Sequence, residues 1–252
     1  MSIETTADWE GLRRVGRVVA LTLDALEAAV RPGVTTADLD GIAASIFAEH
    51  GAASAPALTY GFPGTVLISV NDEIVHGIPG PRRLRRGDVV KLDVTATLGG
   101  YVADAARTVI VEAGDPEAER LVACVGAALD RALAVVRPGV PVNHIGRAVD
   151  TEVRARGFRV VRGLDGHGVG RAIHEPPSIP NWYVASQRDV LSEGLVITIE
   201  PIVSAGSSHA VEDADGWTIR TRDQSLAAHC EHTLVVTSAG PVVLTAPGVS
   251  GA

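Results

Sequence analysis

A five-residue string occurs twice in the chain. Val30-Arg31-Pro32-Gly33-Val34 returns as Val136-Arg137-Pro138-Gly139-Val140, 106 residues further on. Each copy ends a helical pattern, because Pro-Gly stops a helix. Before the first copy, Leu12, Val15, Val19, Leu23, Leu26 and Val30 recur at helical spacing, which predicts a helix from about Ala7 to Val30. Before the second, Leu121, Val125, Leu129 and Leu133 line a helix opened by Asp115-Pro116, with Pro at its first position. A shorter helix follows each copy. In the first half, Thr35 and Asp38 form a capping box, Leu39, Ile42 and Ile46 the apolar stripe, and Gly51 the stop. In the second, Ile145, Val149 and Val153 are the stripe and Gly157 the stop, again 106 residues from Gly51. Strands then repeat: Gly87 precedes an apolar run ending at Asp93, and Gly194 one ending at Glu200. One repetition is too few for a solenoid. The expectation is an α+β protein of duplicated halves, about 7–111 and 115–240, with a central antiparallel sheet backed by helices. Residues 1–252 would form one domain with pseudo-two-fold symmetry, and Asp93 and Glu200 would meet at its centre.

The stretch from Lys91 to Thr108 reads as a hairpin around Leu98-Gly99-Gly100. With the turn centred on Leu98 and Gly99, Asp93 and Asp104 become direct cross-strand partners. Directly opposed Cβ atoms lie roughly 4.5–5.5 Å apart, and like charges there destabilise a sheet. A shared proton, an Arg or a bound cation would offset the repulsion. Alternatively, one Asp pairs with Arg107 and the other faces water.

Composition narrows the function classes. Acidic residues (30) outnumber basic ones (22), giving a net charge of −8, which argues against general nucleic-acid binding. No apolar run reaches the ~20 residues of a membrane span, and no signal peptide is recognisable. Cys124 and Cys230 are expected to be free thiols of a cytoplasmic protein. Four Gly- and Pro-rich connections, 52–64, 77–86, 171–181 and 205–216, are expected to be loops, where function often resides.

Further titratable groups join the two aspartates. The proline after Glu200 biases it to an extended conformation, so Glu200 belongs at a strand. Glu231 opens a run with strand composition, and His167 sits between Gly166 and Gly168, where backbone or substrate can approach closely. Each is ordinary alone: a loop histidine, two solvated strand residues. In a symmetric sheet, four carboxylates and one imidazole suit hard or borderline divalent ions rather than a structural zinc site.

These residues lie in strings that resemble the type I methionine aminopeptidases, which have the pita-bread fold. The strings are Ser69-Val70-Asn71-Asp72-Glu73-Ile74-Val75-His76-Gly77-Ile78-Pro79, Leu92-Asp93-Val94 and Asp104-Ala105-Ala106-Arg107-Thr108. They continue with Gly166-His167-Gly168-Val169-Gly170, Ile173-His174-Glu175-Pro176-Pro177, Ile199-Glu200-Pro201 and Glu231-His232-Thr233. The resemblance covers nearly the whole chain, in order. It implies that Asp93, Asp104, His167, Glu200 and Glu231 ligate two divalent ions (Mn, Fe, Co or Zn). It implies that Glu200 moves the proton, His174 stabilises the oxyanion and His76 contacts the scissile amide. It places the substrate's methionine side chain near Tyr60, Phe62, Ile173 and Trp217, all of which are also ordinary core formers. The implied reaction is removal of an N-terminal methionine that precedes a small residue, from peptides or nascent proteins.

Three departures from the family pattern bear on pocket shape: Val75 before His76, Val102-Ala103 before Asp104, and Ala105 after it. Only residues 175–199 separate His174 from Glu200, leaving no room for the helical insertion of type II enzymes. One rival reading is an X-Pro peptidase of the same fold, which usually carries a large N-terminal domain. Another is a binding homologue without catalysis, which would normally have lost ligands. A monomer is expected, with no membrane or specific nucleic-acid partner. The run Arg82-Arg83-Leu84-Arg85-Arg86 could touch the ribosome transiently, but the chain's acidity favours a solvated loop.

Overall fold

The computed structural model describes residues 1–246. Among the described residues are five helices: α1 (Thr6–Ala29), α2 (Thr36–His50), α3 (Ala55–Tyr60), α4 (Pro116–Ala134) and α5 (Asn143–Ala155). The two longest strands, Val89–Leu98 and Tyr101–Ile110, form the expected hairpin. Leu67–Val70 and Ala53–Ser54 complete that sheet. A five-stranded sheet runs in the order Val242–Val243, His232–Val235, Val196–Ile199, Gly166–Gly168, Glu175–Ile179. Two three-stranded sheets complete the β structure of the described residues, and every named pairing is antiparallel.

The caps explain the helix boundaries. Thr5 and Asp8 form a reciprocal capping box on α1, as Thr35 and Asp38 do on α2. Asp115 accepts from Ala118 N at 2.8 Å and opens α4 one residue before Pro116. Helix α1 lies one residue earlier at each end than its periodicity suggests. The buried stripe of α2 is Leu39, Ala43 and Phe47, whereas Ile42 and Ile46 are half-buried. Ala43 and Phe47 join the apolar cluster that also holds α1 and the hairpin, so the helix is rotated from the expected face.

One apolar cluster gathers α1, α2 and the long hairpin, and a second gathers α4, α5 and the five-stranded sheet. Both halves therefore place two helices behind strands. Three of the four expected loops contain regular structure: Ala53–Ser54 and α3, then Glu175–Ile179, then Ala210–Glu212. Ser54 caps α3 and Pro56 sits in its first turn, a start signal hidden among loop-forming residues.

The hairpin register differs from the expected one. Its turn is Gly99-Gly100, with φ of 61° and 81°, so Leu98 pairs with Tyr101. A two-residue turn of this kind needs positive φ at both central positions, which two glycines supply and Leu98 would resist. Thr95 therefore faces Asp104, and Asp93 faces Ala106. The two aspartates become diagonal neighbours on one face. Arg107 pairs with neither; it reaches Asp24 at 2.6 Å and Glu27 at 3.0 Å on α1.

Lys91, the only lysine, is fully buried two residues before Asp93. Its Nζ donates to Asn71 O at 2.8 Å and Val89 O at 3.3 Å, tying the turn between Leu67–Val70 and Glu73–Val75 to the hairpin. Burial pushes the ammonium from its ordinary 10.5 down to about 7. Between those values the unfolded chain holds a proton here that the folded chain does not. Stability from this group therefore rises with pH across that window. Relative to a Lys91→Met variant, the wild type should gain stability in urea melts between pH 7 and 10. Parallel stability curves would contradict this.

Candidate active site

Every residue singled out for the site reaches one cavity of about 290 Å³ between the two halves. Asp93, Asp104, His167, Glu200, Glu231, His76, His174, Tyr60, Phe62, Ile173 and Trp217 all line it. The hairpin supplies both aspartates. The Gly166–Gly168 strand carries His167, and Glu200 and Glu231 lie just outside the ends of two paired strands, Val196–Ile199 and His232–Val235. The glycines beside His167 serve close backbone approach: a Cβ at Gly168 would lie 2.2 Å from Pro176 O, and one at Gly166 2.7 Å from Thr198 O.

Threonines brace the carboxylates. Thr95 Oγ1 donates to Asp104 Oδ1 at 2.8 Å, and Thr198 Oγ1 to Glu200 Oε1 at 3.2 Å. Thr233 holds the Asp104 backbone from both sides, accepting from Asp104 N and donating to Asp104 O. Burial raises Asp104 to about 7, against the hydrogen bond from Thr95. Asp93 is raised by burial and then by Asp104; Glu200 and Glu231 are raised by burial and then by the neighbouring carboxylates. Together these groups resist ionising side by side without a counter-charge.

Their geometry suits a cation. Asp104, His167 and Glu231 present donor atoms within 4.8 Å of one another, and so do Glu200, His229 and Glu231. Asp93 lines the same cavity but belongs to neither triad. His167 Nδ1 lies 2.9 Å from Gly168 O; with its proton directed there, Nε2 is free to bind metal. Burial, then His174, pushes His167 down to about 4, which keeps the ring neutral as a ligand must be. A carboxylate-rich set with imidazole nitrogen fits borderline divalent metals.

His174 and His76 face the same space. The His174 ring packs edge-on against His167, centroids 4.3 Å apart, and its Nδ1 lies 2.6 Å from Tyr60 Oη. Glu175 Oε1 accepts from Arg171 N at 2.7 Å and Ala172 N at 2.8 Å, closing the loop that presents His174. His76 has φ of 60°, a left-handed conformation unusual outside glycine and often found where function demands it. Burial lowers both histidines, with His174 adding to the effect on His76, so both favour the neutral form. Phe62 and Trp217 meet edge-to-face at 5.2 Å and form an apolar wall.

Of the three departures, only Val75 reaches the cavity; Val102, Ala103 and Ala105 are buried away from it. The arginine run is engaged locally: Arg82 pairs with Glu73 at 2.8 Å and Arg83 donates to Gly33 O at 2.7 Å. Asp165 and His229 are the titratable residues lining the cavity that were not singled out from the sequence. For His229 a signal was present, because residues 229 and 231 in an extended run share one face.

Comparisons with known proteins agree with this arrangement. The model of metallopeptidase family M24 matches residues 10–238. Methionine aminopeptidase 2 of Bacillus subtilis is 40% identical over 247 residues, spanning 97% of this chain and 99% of that protein. The crystal structure of methionine aminopeptidase from Thermotoga maritima superposes with a TM-score of 0.94 at 35% identity, covering 97% of this chain and 99% of that one. Prolidase from Pyrococcus furiosus shares the fold, with a TM-score of 0.78 at 22% identity, over 97% of this chain and 65% of that one. With matches of this extent, the chain belongs to metallopeptidase family M24 and has its pita-bread fold.

Proposed function

We propose that this protein is a methionine aminopeptidase that removes an N-terminal methionine preceding a small residue. The observation that carries this reading is the convergence of four carboxylates, His167, His174 and His76 on one cavity with an aromatic wall. Asp93, Asp104, His167, Glu200 and Glu231 would hold two divalent ions, Mn, Fe, Co or Zn. When bound, such ions polarise a carbonyl and lower the pKa of water from 15.7 to about 7.

The chain's own groups do the rest. Glu200 takes the proton of the attacking water and returns it to the leaving amine. In the tautomer where His174 Nδ1 accepts from Tyr60 Oη, the proton on Nε2 is free to hydrogen-bond the scissile carbonyl oxygen as negative charge develops there. His76 contacts the scissile amide or its leaving nitrogen. Phe62, Trp217, Tyr60 and Ile173 receive the methionine side chain. The enzyme acts as a monomer in the cytoplasm on peptide and nascent-chain N-termini. Two free cysteines support that location, and no helix among the described residues is long and apolar enough to cross a membrane.

Hydrolysis of Met-Ala-Ser, Met-Leu-Ser and an X-Pro dipeptide in which X is not Met tests the assignment. Cleavage of the first alone is expected. Preference for the X-Pro substrate would assign the other peptidase class of this fold, and equal rates on the two Met peptides would remove the size limit.

A further inference from the structure

Among the described residues, His229 is the buried titratable side chain lining the cavity to which the reading above gives no role. It ends the strand Ala227–His229, two residues before Glu231, and is 1% exposed. Neither ring nitrogen has a hydrogen-bond partner among the described residues, and Glu231 Oε1 has none either. Buried polar atoms are rarely left so, and an unpartnered one calls for an explanation such as a bound ion. His229 Nε2 lies 3.6 Å from Glu231 Oε2 and 3.8 Å from Glu200 Oε2. These distances are too long for hydrogen bonds. Around a shared ion, ligand bonds of about 2.0–2.2 Å put neighbouring donor atoms roughly 3–3.5 Å apart. Both His229 distances are a few tenths of an ångström beyond that spacing. His167 Nε2 approaches the other oxygen of the same glutamate, Glu200 Oε1, at 3.6 Å. The two imidazoles thus address different oxygens of Glu200.

We propose that His229 is a metal ligand. With Glu200 and Glu231 it forms a nitrogen–oxygen donor triad for a borderline divalent cation, beside the triad of Asp104, His167 and Glu231. The centre then has two imidazoles rather than one, with Glu231 common to both triads. This proposal rests on the metal-centre reading of the cavity. A second nitrogen donor shifts preference toward Zn, Co or Fe over Mn.

Cobalt-reconstituted full-length protein tests the ligand count. The ring N–H of a cobalt-bound histidine gives a proton resonance shifted far outside the ordinary range, and it vanishes in D₂O. Two such resonances are expected in the wild type and one in His229→Gln. Calorimetric titration should show at least one Co²⁺ bound about tenfold or more weakly by His229→Gln, the least that even an outer partner of a ligand is worth. His167→Gln should keep the His229 resonance, so the test stands if His229→Gln folds poorly. A single shifted resonance in the wild type, none in His167→Gln and unchanged affinity in His229→Gln would overturn the proposal and leave the metal centre intact. Failure of the wild type to bind Co²⁺ at all would instead overturn the metal centre.

Discussion

Asp104→Asn should lose metal affinity and turnover together. Asp104 is the best-braced carboxylate of the site. Its side chain receives Thr95, and its backbone is held by Thr233 through both N and O. An asparagine fits the same space, so the fold around it should persist. The substitution removes one negative charge and replaces an acceptor oxygen facing His167 and Glu231 with an amide. Losing an outer partner of a ligand typically costs 10–100-fold in metal affinity; losing a charged ligand should cost ~100-fold or more. Metal-free Asp104→Asn should also melt at a higher temperature than the metal-free wild type near pH 7, because burial of mutually repelling carboxylates destabilises the empty site. Calorimetry and turnover measured across a metal titration decide the matter. Full occupancy with full rate in this variant would remove Asp104 from the centre.

His174→Ala should separate chemistry from metal binding. The ring stands outside both donor triads yet packs against His167 in the cavity. If it donates to the developing oxyanion, its loss should lower turnover by ~10²–10³ while metal affinity changes little. Tyr60→Phe should lower turnover less, since it frees the tautomer without deleting the donor. The competing role is loop packing: His174 precedes Glu175, which already holds the backbone of Arg171 and Ala172. On that account His174→Ala would lose modest stability and keep near-normal turnover at saturating metal. Steady-state kinetics at several fixed metal concentrations distinguish the two.

The helix boundaries were legible because helix punctuation is local. Thr35 with Asp38, Asp115 with Pro116, and Gly51 each act within one turn of chain. The strings around Asp93, Asp104, His167, Glu200 and Glu231 were legible too, because their order matches a known pattern. What failed depends on contacts distant in sequence or on competition between local preferences. The hairpin register slipped by one residue per strand, because Leu98-Gly99 and Gly99-Gly100 both offer a turn and only backbone strain chooses between them. The face of α2 depends on tertiary packing: Ala43 and Phe47 enter the apolar cluster while Ile42 and Ile46 stay half-buried. The helix α3 was obscured by Pro56 and Gly61, which read as loop residues until they serve as its first turn and its stop. His229 escaped notice because a lone histidine near a strand is usually structural. Its meaning appears only when Glu200, 29 residues earlier, faces it across the cavity.

The central claim is that bound metal and these residues together remove N-terminal methionine. The most direct measurement is methionine release from Met-Ala-Ser by exhaustively chelated protein, followed through stepwise addition of Mn²⁺ or Co²⁺. The account predicts no release without metal and recovery of turnover as the ion is restored. Undiminished release from protein verified to be metal-free would contradict it.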